Sequence, residues 1–220
     1  MLDFTLIYEA WPLFLEGLTL TCLLTIMSCM LGTALGCGCA WGRLHGPRWL
    51  RSLLTVYVEL FRNTPFIIQI FFLYFGMASL GLKLSAIPAS VLALSINLGA
   101  YACEIIRAGM VATPKGQIEA AQSLALSPYY IFTRVTLAPA LARVWPSLTG
   151  QLVIILLASS VCSQISAPEV SYSANFIAGK TFRNFEAFVA VTGFYLLLCT
   201  FLRYALLYIG PRFIFGRMKF

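Results

Sequence analysis

Asn97, Tyr101 and Glu104 recur at i, i+4 and i+7 inside an apolar run, so a helix through them carries one polar face. A second run holds Ser159, Ser160, Ser163 and Gln164, with Ser160 and Gln164 one turn apart, and a third is interrupted by Gln69. These residue types neither attack nor transfer; they donate and accept hydrogen bonds. Gathered around one passage, they would hold the amino and carboxylate groups of a small solute. Taken singly, each serves equally well as an ordinary bond between helices, worth about 0.6 kcal/mol. Glu104 lies three residues before Arg107, the spacing of an ion pair on one helix face. Asn97 has no partner nearby in sequence and must face another helix or a polar path.

Catalytic patterns do not emerge. HExxH, GxSxG and paired intramembrane aspartates are missing, and His45 is the sole histidine. The cysteines Cys22, Cys29, Cys37, Cys39, Cys103, Cys162 and Cys199 fall nearly all within apolar runs, and Cys37 and Cys39 have no ligand partner at metal spacing, so no metal site is expected. ANFIAGKT, residues 174–181, matches a relaxed nucleotide-loop pattern with Ala174 in place of the first glycine. A phosphate loop must follow a buried strand and open a helix, whereas this stretch is expected in an external loop.

The elements that position these side chains follow from composition. Of 220 residues, 60% are hydrophobic and 10% charged, with a mean hydropathy of +0.87, more apolar than a water-soluble core of this size requires. The expected fold is an all-α membrane protein in one domain, 1–220. Five runs are long enough to cross about 30 Å of hydrocarbon: 13–41, 66–82, 87–110, 146–166 and 186–210. The N-terminus carries Asp3 and Glu9 but no cation, and the first run is longer than a signal-peptide core, so a retained span is expected there. Arg43, Arg48, Arg51, Arg62, Arg107, Lys115, Arg134, Arg143, Arg203, Arg212, Arg217 and Lys219 fall on one side; Lys83, Lys180 and Arg183 fall on the other. The positive-inside rule then places the N-terminus outside and the C-terminus in the cytoplasm. Cations dispersed over three segments, rather than gathered with aromatics on one face, exclude nucleic-acid binding as the meaning of the +7 net charge.

The segment EAAQSLALSPYYIFTRVTLAPAL, residues 119–141, interrupts the apolar runs with two short helices. Thr113-Pro114 and Ser127-Pro128 each offer a hydroxyl cap followed by a proline suited to a first helical turn. The first helix, about 18 Å long, sets Ile118, Ala121 and Ala125 on a face of small residues suited to close approach by another protein. The second carries Tyr129, Phe132 and Val135 and leads through Pro139 towards the fourth span. Two helices lying on the inner leaflet fit the same periodicity.

Glu119-Ala120-Ala121, a short gap, Ser127-Pro128, then Val135-x-Leu137 and a nearby proline resemble the EAA loop of ATP-binding-cassette (ABC) importer permeases. Two positions depart from the pattern: Ala125 stands where that family usually has glycine, which would favour a longer helix, and Pro139 is displaced by one residue. The segments EGLTLTCLLTIMSCMLGTALG, YVELFRNTPFIIQIFFLYFG, LALSINLGAYACEIIRAG and TPKGQIEAAQSLALSP resemble the polar amino-acid uptake branch, the histidine, glutamine and basic amino-acid permeases, with Asn63 where glycine is usual.

This resemblance implies a permease subunit for polar, including cationic, amino acids in a bacterial inner membrane. It implies a cytoplasmic coupling loop at about 113–139, with Glu119, Ala120, Ala121, Ala125, Ser127 and Pro139 at the contact with a cytoplasmic ABC ATPase dimer. ATP and Mg would be bound by that ATPase, leaving no cofactor in this chain. The remaining partners would be a second permease subunit, identical or homologous, and an extracytoplasmic solute-binding protein. Gln69, Asn97, Tyr101, Ser160 and Gln164 would line the path. An ATP-independent channel or an ion-coupled carrier is the alternative, but the charge set or inverted repeats it calls for are not evident.

Overall fold

The computed structural model describes residues 10–210 together with Thr5, Tyr8 and Arg212. Asp3, Glu9, Arg217 and Lys219, which enter the charge reading, lie outside the described residues. The described residues form helices joined by short turns and contain no strand.

Helix α1 (Trp11–His45) has Pro12 in its first turn and stops at Gly46-Pro47. At 35 residues it is about 52 Å long, more than a perpendicular crossing needs. Thr21, Thr25, Ser28, Gly32, Gly36 and Cys39 form a buried stripe of small residues along it. The stripe lets α4 (Ala86–Val111) approach closely: a Cβ on Gly36 would stand 2.5 Å from the Ala102 Cβ, and one on Gly32 2.7 Å from Leu98. Helix α4 is the centre of the bundle, with Leu94, Leu98, Ala102 and Ile106 fully buried at successive turns.

The expected second span, 66–82, forms one helix but a short one, and it is joined to a preceding helix that the apolar run leaves out. Helix α2 (Arg48–Arg62) and helix α3 (Phe66–Ser79) meet at 111°. Helix α3 alone is about 21 Å long, short of the hydrocarbon thickness. The break has a local cause: Pro65 has no N–H to give, and it pushes Thr64 out of the helical region. The freed carbonyls are recovered by one side chain, since the Gln69 amide donates to Phe61 O at 2.8 Å and Thr64 O at 2.9 Å. Four described helices are long and apolar enough to cross a membrane, and the bent pair makes a fifth if it counts as one span.

Helix α5 (Lys115–Ser123) lies beyond the end of α4, and α6 runs from Pro128 to Ile165. The second short helix expected in the 113–139 loop is therefore the start of α6, not a separate element. Its first turns widen to a π-helix over Ile131–Leu137 before the α-helix Ala138–Ala158, which carries Pro139 in its first turn and Pro146 within it. The last turns tighten to 3₁₀ over Ser159–Ile165, and Ser166 leaves in the left-handed region at φ +64°. Helix α7 (Val170–Thr181) occupies what the sequence reading took for an external loop, and α8 (Asn184–Ile209) closes the bundle. Phe14 of α1, Val170, Ala174 and Ile177 of α7, and Ala187 and Val191 of α8 form a second core beside the one built on α4. The outer face of α8 presents Leu196, Leu197, Phe201 and Tyr204, all exposed, as a helix against lipid would.

Candidate functional site

One end of the bundle gathers the end of α1, the end of α4, all of α5 and the start of α6. A cavity of about 700 Å³ between them is lined by Trp41, His45, Val111, Ile118, Gln122 and Phe132, among others. Helix α5 covers this cavity and turns its other side outward. Ala121 is buried and Ile118 half-buried, whereas Glu119, Ala120 and Leu124 are exposed. The small face expected to meet a partner thus packs partly on the chain itself, and the outward face is Gly116, Glu119, Ala120, Ser123 and Leu124. Helical phase explains the correction: Ile118 and Ala121 are the apolar positions that this chain's own cavity needs to cover.

The ends of α5 also differ from expectation. Thr113 is buried with its hydroxyl unpaired, and Pro114 takes the cap position with extended backbone, so the hydroxyl caps nothing. Ser127 does cap α6, accepting from Tyr130 N at 3.3 Å. Ala125 does not prolong α5. It adopts φ +54°, and Leu126 N donates to Ala121 O at 3.3 Å while Ala125 N donates to Gln122 O at 2.9 Å. That is the Schellman closure, with alanine in the position that favours glycine. Pro139 lies half-buried in the first α-helical turn of α6, away from α5 in sequence and without a chain break.

Halfway along α4 a polar cluster forms at the α2–α3 break. Asn97 is buried, and its amide donates to Gln69 Oε1 at 2.8 Å. Gln69 in turn donates to the Thr64 hydroxyl at 2.8 Å. The Tyr101 hydroxyl donates to Arg62 O at 3.3 Å, and the Arg62 guanidinium lies over the Tyr101 ring at 5.7 Å. A cleft of about 620 Å³ along the inside of the bend is lined by Phe61, Thr64, Ile68, Gln69, Phe72 and Leu73, among others. Arg62 therefore belongs to this break, at the level of Tyr101. Arg62 and Thr64 escaped the sequence reading as site residues, although Thr64-Pro65 inside an apolar stretch is a signal of a broken helix.

Ser160 and Gln164 are not bonded into that cluster. The Ser160 hydroxyl donates to Leu157 O at 2.7 Å, and Gln164, exposed, donates to Ser163 Oγ at 3.5 Å. The 3₁₀ winding rotates their side chains relative to the α-helix that the sequence spacing assumed.

Glu104 pairs with Arg107 at 3.0 Å, as the spacing implied, and also with Arg43 from α1. Its charge is thus neutralised from two helices. Lys180 of the GKT stretch sits in the last turn of α7 with its ammonium 4.1 Å above the Phe176 ring. Gly179-Lys180-Thr181 ends a helix instead of opening one, the reverse of what phosphate binding needs.

Glu169 is wholly buried and so presents no surface to an external partner. It caps α7, accepting from Tyr172 N at 2.9 Å and from the Tyr195 hydroxyl of α8 at 2.7 Å. Thr21 of α1 completes the junction by accepting from Val170 N at 3.2 Å. Burial pushes the Glu169 carboxyl above its ordinary value, and hydrogen bonds from the α7 backbone and Tyr195 act against that rise. Among the described residues no group of three or more His, Cys, Asp or Glu side chains could hold a metal ion.

Residues 32–215 match the family of binding-protein-dependent transport system inner membrane components. The chain is 30% identical to a probable amino-acid ABC transporter permease of Bacillus subtilis, over 87% of this chain and 85% of that protein. It is 34% identical to the L-cystine transport system permease of the same organism, over 77% and 73%. A crystal structure of an amino acid ABC transporter with histidines superposes with a TM-score of 0.85 and 29% identity, covering 95% of this chain and 98% of that one. With the family model spanning most of the bundle, and both the polar cluster and α5 within its bounds, the chain belongs to the binding-protein-dependent transport system inner membrane components, the permease subunits of ABC transporters.

Proposed function

We propose that this chain is the transmembrane subunit of an ATP-driven ABC importer for polar amino acids, cationic ones included, in the bacterial cytoplasmic membrane. The observation that supports this most is α5: a short helix with exposed Glu119 and Ala120, closed by a Schellman turn and seated on the basic end of the bundle. The positive-inside rule makes that end cytoplasmic, with the N-terminus outside. There α5 meets an ABC ATPase dimer, which binds ATP and Mg. Closure of the dimer pushes α5, and through the cavity beneath it moves the ends of α1, α4 and α6 between two arrangements.

The path runs beside Gln69, Asn97, Tyr101, Ser160 and Gln164, with a second permease subunit, the same chain or a homologue, forming the other wall. An extracytoplasmic solute-binding protein delivers the amino acid. The relatives named as amino-acid and cystine permeases support this solute class.

The test is copurification. The chain expressed with its ATPase should retain it through detergent extraction, and Glu119→Lys on the outward face of α5 should release it while the chain still inserts. An ATPase retained at full stoichiometry and with unchanged activity by Glu119→Lys contradicts docking on α5.

A further inference from the structure

Helix α2 has three faces, where a helix between core and lipid needs two. Leu50, Leu54, Tyr57, Val58 and Phe61 turn inward, with Val58 fully buried. Trp49, Leu53, Val56 and Leu60, spaced by four, three and four residues, form an exposed apolar stripe. Arg48, Ser52, Thr55, Glu59 and Arg62 form a third line about 120° from each of the others at 100° per residue.

This polar line does not stay at the membrane surface. The Tyr57 hydroxyl donates to Ile96 O at 2.6 Å. Ile96 lies about 15 Å from the start of α4 and about 22 Å from its end, well inside the span. The Arg62 carbonyl, accepting from Tyr101, lies at a similar depth. Glu59, Arg62 and Asn63 are exposed there, and the Glu59 carboxylate accepts from the Asn63 amide at 3.0 Å. Charged side chains at this depth do not face hydrocarbon; they face water or protein. The apolar stripe satisfies lipid and the inner face satisfies the core, so the third line faces water or the polar surface of a second subunit. It also leads from Arg48 at the basic end up to the cluster of Gln69, Asn97 and Tyr101, so a solute held at that cluster would find it the continuous polar route outward.

We propose that the polar face of α2, from Ser52 through Thr55 and Glu59 to Arg62, is the wet wall of the solute path between the polar cluster and the basic end of the bundle. It takes small polar solutes, and its opposite charges at Glu59 and Arg62 suit one carrying both an ammonium and a carboxylate. This rests on the permease reading but uses a different readout, the accessibility of thiols.

Single cysteines at Ser52, Thr55 and Glu59, and at Leu53 and Val56 as lipid-facing controls, are placed in the assembled transporter in sealed vesicles. A charged, membrane-impermeant thiol reagent is applied at the basic end, with the parent chain and its native cysteines as baseline. The expected result is labelling at least tenfold faster on the polar line than on the apolar stripe, and uptake reduced by the label at Thr55→Cys more than at Val56→Cys. Equal rates on the two lines, or a polar line that stays unlabelled and cross-links to a second copy, overturn the proposal. Because rates are read without transport, labelling that fails in a complex still active in ATP-dependent uptake removes the wall and leaves the permease reading standing. Labelling that succeeds in a complex without ATP-dependent uptake does the reverse.

Discussion

Asn97 on α4 and Gln69 on α3 hold each other across the bundle, the Asn97 amide donating to Gln69 Oε1 at 2.8 Å, and the same Gln69 closes the broken backbone of the α2–α3 bend. Two polar side chains deep in an apolar bundle thus serve structure first. A solute that took one of these bonds would loosen the bend.

This pairing makes the two residues energetically coupled. Asn97→Ala and Gln69→Ala should each lower the thermal stability of the purified complex, by about 1–3 kcal/mol where a buried group is left unpaired. The double variant should lose about 1 kcal/mol less than the sum. Strict additivity would show that the 2.8 Å contact contributes nothing.

A substrate series separates lining from packing. Asn97→Ala is expected to change the ratio of uptake between amino acids of different side chain, measured with expression, assembly and ATPase stimulation in parallel. Gln164→Ala, on an exposed side chain outside the cluster, should alter that ratio without lowering stability. Equal loss for every substrate, tracking reduced assembly, identifies interhelical packing as the whole role.

Neighbouring alanines on α5 should part company. Ala121 is 5% exposed, so Ala121→Trp overfills the chain's own packing and destabilises it by about 1–3 kcal/mol. Ala120→Trp, facing outward, should leave melting unchanged and separate ATP hydrolysis from uptake. A matched fall in stability for both would mean that α5 has no free outer face.

Ala125 occupies a conformation that costs an L-residue about 1–2 kcal/mol. Ala125→Gly should therefore slow hydrogen exchange at Leu126, whose N–H closes the turn, and Ala125→Val should speed it. An Ala125→Gly variant with faster exchange would show that α5 ends otherwise.

The buried Glu169 predicts a pH dependence. A carboxyl whose folded value lies above its unfolded value binds its proton more tightly in the fold. Its contribution is full below the unfolded value and is lost as pH rises through the folded one. Glu169→Gln keeps an acceptor for Tyr172 N, turns an amide N–H towards the Tyr195 oxygen, and should flatten the fall in melting temperature between acid and neutral pH. Glu169→Ala should cost about 1–3 kcal/mol at acid pH and less at neutral pH. A Glu169→Gln profile parallel to that of the parent would place the sensitivity elsewhere.

Sequence alone carried the long elements because apolar run length and flanking charge are strong signals: α1, α4 and α8 lie within a few residues of their expected bounds. It failed where backbone geometry overrides pattern. Pro65 separates α3 from α2, a helix outside the 66–82 run, whereas Pro139 sits in the first turn of Ala138–Ala158 and the helix continues through it. Ala125 looks like a helix extender, yet the closure at Ala121 and Gln122 holds it left-handed. The Asn97 and Glu104 faces were legible from 3.6-residue spacing, but their partners Gln69 and Arg43 are set by tertiary packing, which spacing does not encode. Nothing in the sequence around Glu169 signals its burial, which needs Thr21 and Tyr195 from two other helices.

The most direct measurement is accumulation of a radiolabelled polar amino acid in proteoliposomes holding the chain, its ATPase and its solute-binding protein, with ATP supplied on the ATPase side and no ion gradient. The account predicts concentrative uptake that stops without ATP or without the binding protein, and that falls at least tenfold in Glu119→Lys while the lipid-embedded chain stays intact. Uptake that proceeds to equilibrium without ATP, or that an ion gradient alone drives to accumulation, contradicts it.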